Sequence, residues 1–162
     1  MSGIIGGAGS KSGVINKLMS SNDYVELRNG VDGDAGQMGT SNINVVWNTI
    51  VYNDLITHSS GVLTFTDKGA GTYCILASVN AYYAGSEGER WVKAEILKGA
   101  SSLGAAYEGV TPAENGGTYA NPVCAVIEPF SSGDTCTIQT ASADDGTAVL
   151  YGTTHCILIK IG

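Results

Sequence analysis

The sequence predicts an all-β fold, eight strands packed as two antiparallel sheets in a jelly-roll sandwich. Three observations predict it. Glycine is abundant (23 residues) and charge is sparse (14%), and with Thr, Val, Ile and Tyr frequent this composition suits short strands joined by tight turns. β-prone runs recur at the spacing of a sandwich, separated by glycine-rich turns. No stretch has the length of a convincing long helix. For eight antiparallel strands in two sheets, the jelly roll is the default arrangement.

Taken in order, residues 1–42 are expected to form an N-terminal anchoring arm and linker, and residues 43–162 the jelly-roll domain. The arm opens on Met-Ser-Gly-Ile-Ile-Gly-Gly-Ala-Gly-Ser, too rich in glycine to hold a fold alone. Val14, Ile15, Leu18 and Met19 form one apolar stripe over two helical turns, too short to be stable unaided. With Ile4 and Ile5 they are the candidate docking residues. A short strand is possible at 24–27, and 29–36 reads as a loop. The eight strands follow at 43–52, 62–66, 72–83, 91–98, 101–107, 118–128, 134–141 and 154–161. Glycine turns such as Lys68-Gly-Ala-Gly and Ser132-Gly-Asp lie between them.

The third strand organises the rest. Read with period 2, Tyr73, Ile75, Ala77, Val79 and Ala81 form an apolar face, opposed by Cys74, Leu76, Ser78, Asn80 and Tyr82. A second face that is small and mixed, yet uncharged, suits a central strand covered by another subunit.

Composition bounds the function. The chain carries a net charge of −7, which disfavours a nucleic-acid partner. No apolar run approaches the ~20 residues of a membrane span, so no membrane insertion is expected. The start lacks a basic stretch followed by an apolar core, so no secretory signal is expected. The four cysteines, Cys74, Cys124, Cys136 and Cys156, all lie within strand-like runs and never as Cys-x-x-Cys. Free, buried thiols are expected rather than disulfides, and without chelating spacing no metal or other cofactor is expected.

The order of these features resembles the tumour necrosis factor / complement component 1q superfamily of trimeric jelly rolls. The matching stretches are Val45-Val-Trp-Asn-Thr-Ile-Val-Tyr-Asn-Asp, Ser60-Gly-Val-Leu-Thr-Phe, Gly71-Thr-Tyr, Phe130-Ser-Ser-Gly-Asp-Thr-Cys-Thr-Ile and His155-Cys-Ile-Leu-Ile-Lys-Ile. The resemblance implies a homotrimer, with the third, sixth and eighth strands adjacent in the sheet that faces the trimer axis. The wholly aliphatic faces of the sixth (Val123, Ala125, Ile127) and eighth (Ile157, Ile159, Ile161) strands are then expected in the core. Cys74, Leu76, Ser78, Cys124, Val126, Cys156 and Leu158 are expected at the trimer interface, with Glu128 and Lys160 pairing there or sitting at a wet end of it. The opening Met-Ser-Gly-Ile-Ile-Gly-Gly-Ala-Gly-Ser-Lys-Ser-Gly-Val-Ile resembles the first residues of structural proteins of marine tailed bacteriophages. That likeness implies a virion protein, assembled in the host cytoplasm.

Alternating strands are expected to gather loops 53–60, 84–90, 109–117 and 143–146 at the end opposite the arm. This crown carries Asp54, Glu87, Glu89, Glu114, Asp144 and Asp145 against Arg90, and loops on a rigid scaffold are where recognition is usually built. The expected function is a non-enzymatic virion structural protein: a homotrimeric knob docked by its arm on other virion proteins of capsid or tail, as decoration or fibre component. The alternative is a tail-fibre head whose crown binds a host glycan or receptor. Enzymatic readings are weaker. Lys11-Ser12 follows glycines but has no strand to feed a phosphate loop. His58 and His155 are not placed for a catalytic triad, and no paired carboxylates fall in one cleft. Trp47 and Trp91 are expected in the core or at subunit contacts rather than as a sugar platform.

Overall fold

The computed structural model describes residues 23–29, 37–51, 54–83, 90–111, 117–143 and 148–162. In chain order its strands are β1 (Tyr24–Arg28), β2 (Gln37–Met38), β3 (Ile43–Asn44), β4 (Thr49–Val51) and β5 (Ile56–Ser59). There follow β6 (Val62–Phe65), β7 (Gly71–Ser78), β8 (Ala81–Tyr83), β9 (Arg90–Lys98) and β10 (Ser101–Val110). The last are β11 (Thr118–Ala120), β12 (Val123–Phe130), β13 (Thr135–Ser142), β14 (Ala148–Leu150) and β15 (His155–Lys160). Among the described residues every pairing is antiparallel and no helix occurs.

A five-stranded sheet in the order β12-β7-β15-β1-β4 faces a six-stranded sheet built on β10-β9-β13-β6-β5, with β3 also paired to β13. Between them lies one apolar core. Tyr73, Ile75, Ala77 and Val79 supply its centre from β7 and the residue after it, all fully buried, as the alternation on the third expected strand predicts. The opposing layer comes from Val92, Ala94 and Ile96 on β9 and from Cys136 and Ile138 on β13. At one end Phe65 and Phe130 stack at 4.1 Å between centroids, with Tyr73 edge-on to Phe65 at 4.9 Å. The Tyr73 hydroxyl donates to the Gly69 carbonyl at 2.8 Å, so the buried phenol leaves no polar atom unpaired.

Every expected strand has a counterpart, but three are divided. Run 118–128 breaks at Asn121-Pro122, where Pro122 has no N–H to give a ladder, and run 72–83 breaks beside it at Val79-Asn80. The Val79 N–H donates to the Pro122 carbonyl (3.1 Å), and the Asn80 carbonyl accepts from the Tyr151 N–H (2.8 Å). A four-stranded sheet, β11-β8-β14-β2, therefore continues β12-β7-β15-β1 strand for strand beyond a line of breaks. Thr154 staples that line, its Oγ1 accepting from the Asn80 N–H at 2.9 Å.

The third division moves a chain crossing. Run 43–52 begins as β3 against β13 and ends as β4 against β1. Between them Val45 and Trp47 turn into the core as the chain passes from one sheet to the other. Gly61 holds this crossing closely: at φ +80 its Cα faces the Val45 carbonyl, and a Cβ would stand only 2.5 Å from that oxygen. Ser60 and Gly61 both have positive φ, as a two-residue hairpin loop between β5 and β6 requires.

The expected domain boundary at residue 43 also shifts. β1 lies inside the five-stranded sheet, paired with both β15 and β4, and Val25, Leu27 and Met38 are fully buried. The sandwich thus begins by Tyr24. Alternation over only five residues carries too weak a signal to show this in advance.

Candidate functional site

The outward side of the β12-β7-β15 half-sheet is apolar, and pairing register lays it out in rows. Ile127 stands opposite Cys74, and Cys74 opposite Ile159; in the next row Ala125, Leu76 and Ile157 are neighbours. A third row runs from Val123 through Ser78 to His155. Ile127 is 66% exposed, Val123 54% and Leu76 42%. Cross-strand side chains this close form a continuous surface. At its far side the rows end in polar residues on β1, where Glu26 pairs with Arg28 at 2.6 Å.

Beyond the line of breaks the surface becomes aromatic. Tyr82 on β8 lies 5.0 Å from Tyr119 on β11 and 5.9 Å from Tyr151, and the last two are 5.4 Å apart. This triangle of rings, with Tyr119 49% exposed, unites β8, β11 and the residue after β14 through positions far apart in the chain. Leu76, Tyr119, Val123, Ile127 and Ile161 place most of the exposed large apolar side chains among the described residues on this one side.

Two of the strands present the opposite face from the one expected. Cys74, Leu76 and Ser78 do lie on the outer side. Cys156 and Leu158 are fully buried in the core, Cys124 is nearly so, and Val126 packs against the core. They have little or no surface to offer a second copy. The faces Val123-Ala125-Ile127 and Ile157-Ile159 point outward in their place. Register explains the reversal: Cys156 pairs with Ala77 and Leu158 with Ile75, and directly paired residues share a face. Of the two placements expected for Glu128 and Lys160, mutual pairing gives way to separate partners. Glu128 meets Lys98 at 3.3 Å, and Lys160 Nζ donates to the Lys68 carbonyl at 2.8 Å.

All four cysteines are free. Burial pushes the Cys136 thiol up to about 12 and the Cys156 thiol well above its ordinary value; burial also raises Cys124. As inert core hydrophobes, these three leave half-buried Cys74 as the thiol of the outer face. Among the described residues no group of three or more His, Cys, Asp or Glu side chains is gathered to hold a metal.

The two poles differ. At the pole where the described chain starts, Asp23, Asp54, Leu55, Lys68 and Lys160 line a cleft, and Lys98 bridges Glu128 and Asp134 (3.3 and 3.2 Å). Asp54, expected in the distal crown, therefore sits at the opposite pole. The extra strand β5 and the sheet crossing before it change the parity of the turns. Arg90 begins β9 at the crown pole. Glu87, Glu89, Glu114, Asp144 and Asp145 lie outside the described residues, as do the arm residues Ile4, Ile5, Val14, Ile15, Leu18 and Met19.

The tyrosine triangle escaped sequence reasoning. Its only local signal is that Tyr82, Tyr119 and Tyr151 each adjoin a strand break, and those breaks appear only once the strands are paired.

No family model matches the chain, and no curated protein is similar to it in sequence. Its similarity is to solved structures. The crystal structure of murine APRIL at pH 5.0 aligns over 86% of this chain and 98% of that one, with 14% identity and a TM-score of 0.58. Those of murine APRIL at pH 8.5 and pH 8.0 align over the same shares, at 13% and 12% identity with TM-scores of 0.57 and 0.56. What they share with this chain is its fold, a tumour necrosis factor-like antiparallel jelly roll.

Proposed function

We propose that this chain is a non-enzymatic structural knob of a phage virion that associates with itself as a homotrimer through the outward side of β12-β7-β15. The observation that carries self-association is the apolar surface centred on Ile127, Leu76 and Ile157, continued by the three tyrosines. Folded monomers rarely leave contiguous apolar patches of more than a few hundred Å² to water, and in a three-fold ring each copy covers part of its neighbour's patch with a different part of its own surface, without any foreign partner. Docking on capsid or tail is assigned to the arm, and it rests on the likeness of residues 1–15 to phage structural proteins. The described chain begins at Asp23, at the pole where Asp54, Lys68 and Lys160 gather. Trimerisation sets three arms to act together and raises their avidity.

Light scattering tests the reading. The intact protein is expected at three times its 16.6 kDa chain mass, and Ile127→Asp, which places a carboxylate in the proposed contact, at the mass of a single folded chain. A single-chain mass for the unaltered protein refutes self-association. A trimer lacking residues 1–22 that still joins particles refutes the docking role.

A further inference from the structure

The remaining exposed aromatic pair lies on the other side of the molecule. Trp91 and Tyr107 point outward from β9 and β10 in the six-stranded sheet, 37% and 64% exposed. Their rings meet edge to face, 5.7 Å apart at 69°. Trp91 is opposite Gly109 on β10, and its carbonyl accepts from the Ala143 N–H. The indole is thus flanked on both sides by small residues. Beside the rings lies a polar row. Lys93 stands opposite Tyr107 and pairs with Glu95 at 2.6 Å, both side chains largely shielded from water. Glu95 in turn stands opposite Gln139, whose amide donates to Asn44 Oδ1 at 3.0 Å.

The geometry points to a binding platform for a neutral carbohydrate chain on this face. A pyranose ring has an apolar C–H face that packs on an aromatic ring, and hydroxyls around its rim that need donors and acceptors. Trp91 and Tyr107 supply the first. The more exposed Gln139 and Asn44 amides supply the second, while the shielded Lys93–Glu95 pair braces the row between them and the rings. The ion pair is already made in the unliganded protein, so its groups are held in place before a sugar arrives. With the chain at net charge −7 and a carboxylate beside the rings, sulfated or uronic chains are repelled and neutral ones retained. This face is on the sheet opposite the proposed self-association surface, so it stays open in a trimer and is presented three times. Of the two placements expected for Trp91, core or subunit contact, its outward position excludes the core, and an outward ring is what makes the platform available.

Affinity electrophoresis of the full chain tests this, in gels containing mannan, galactomannan, hydroxyethyl cellulose or dextran, with alginate as the charged counterpart. At least one neutral gel is expected to retard the protein, and alginate to do so less. Trp91→Ala and Tyr107→Ala are each expected to raise the apparent Kd tenfold or more, while Tyr107→Phe keeps binding within twofold because the ring carries it. Tyr107 is exposed enough for its variants to keep the wild-type melting temperature. No retardation in any neutral gel, retardation unaltered by both alanine variants, or stronger retardation by alginate overturns the platform. A fall in assembly mass with Trp91→Ala also overturns it, by making this face a contact between copies; the mass of Ile127→Asp reports separately on the self-association reading.

Discussion

Replacing Leu158 with alanine tests which side of the last strand closes the core. Leu158 is fully buried, and its cross-strand partners Val25 and Ile75 are fully buried as well. Truncating a core leucine costs about 2–5 kcal/mol, depending on how far the site collapses. Here β15 has a hydrogen-bonded neighbour on each side, so the backbone cannot close in, and we expect the upper part of that range, ~3–5 kcal/mol. For a chain of this size each kcal/mol moves Tm by about 2–4 °C, which gives a fall of roughly 6–20 °C. Ile157, adjacent in sequence but on the outer face and only partly buried, is the control. In a single copy Ile157→Ala should cost under ~1 kcal/mol. Both belong in the Ile127→Asp background, so that no second copy contributes, with calorimetry and urea unfolding as readouts. An Ile157→Ala loss equal to or above that of Leu158→Ala would refute the assigned phase.

Further outcomes follow from the same geometry. A thiol reagent at neutral pH should modify Cys74 in the Ile127→Asp variant and, if the proposed self-association holds, much more slowly in the wild-type protein, with Cys124, Cys136 and Cys156 reacting only on unfolding; reaction of Cys156 at the rate of Cys74 would contradict the burial pattern. Gly61→Ala should destabilise by about 1–3 kcal/mol, since it adds a positive-φ penalty to a collision with the Val45 carbonyl. Gly99→Ala, at φ +57 with open space around it, should cost only about 1 kcal/mol; equal losses in urea unfolding would remove the close-approach argument. Asp134 is held below the usual carboxylate range by the Ser131 N–H and then Lys98. A carboxyl lowered in the folded state stabilises above its unfolded pKa, and that contribution disappears as pH falls through the folded value. Asp134→Asn should therefore lower stability at pH 7 and leave it unchanged at pH 2, and a deficit that persists at pH 2 would show a different cause.

The face of β7 was legible because its two sides differ: one holds only apolar residues, the other Ser78 and Cys74. On β12 and β15 both sides are largely apolar, and the charges Glu128 and Lys160 fall on the inward-facing side near the strand ends, where they reach polar partners, so alternation alone pointed to the wrong face. Choosing the more aliphatic side put Ile127 and Ile157 inside, whereas pairing with Ala77 and Ile75 puts Cys156 and Leu158 there. Pro122 offered a readable strand break, but Asn80 and Thr154, which complete the line, become breaks only by bonding to each other. Trp47 was legible as a buried residue, yet nothing local marked its run as a crossing between sheets. The outer tyrosines and the Trp91–Tyr107 pair depend on register between distant segments, which no single stretch encodes.

The placing of β1 has a mechanical consequence. Its first residue, Tyr24, is at the pole where the described chain starts, and its rungs to β15 and β4 run on toward the other pole. A pull applied at Tyr24 along the strand axis, against a fold held at the other pole, acts along this strand rather than across it. The rungs on both flanks are then loaded in shear together, instead of opening one after another like a zip. A load entering at Tyr24 is thus resisted by a strand paired on both sides.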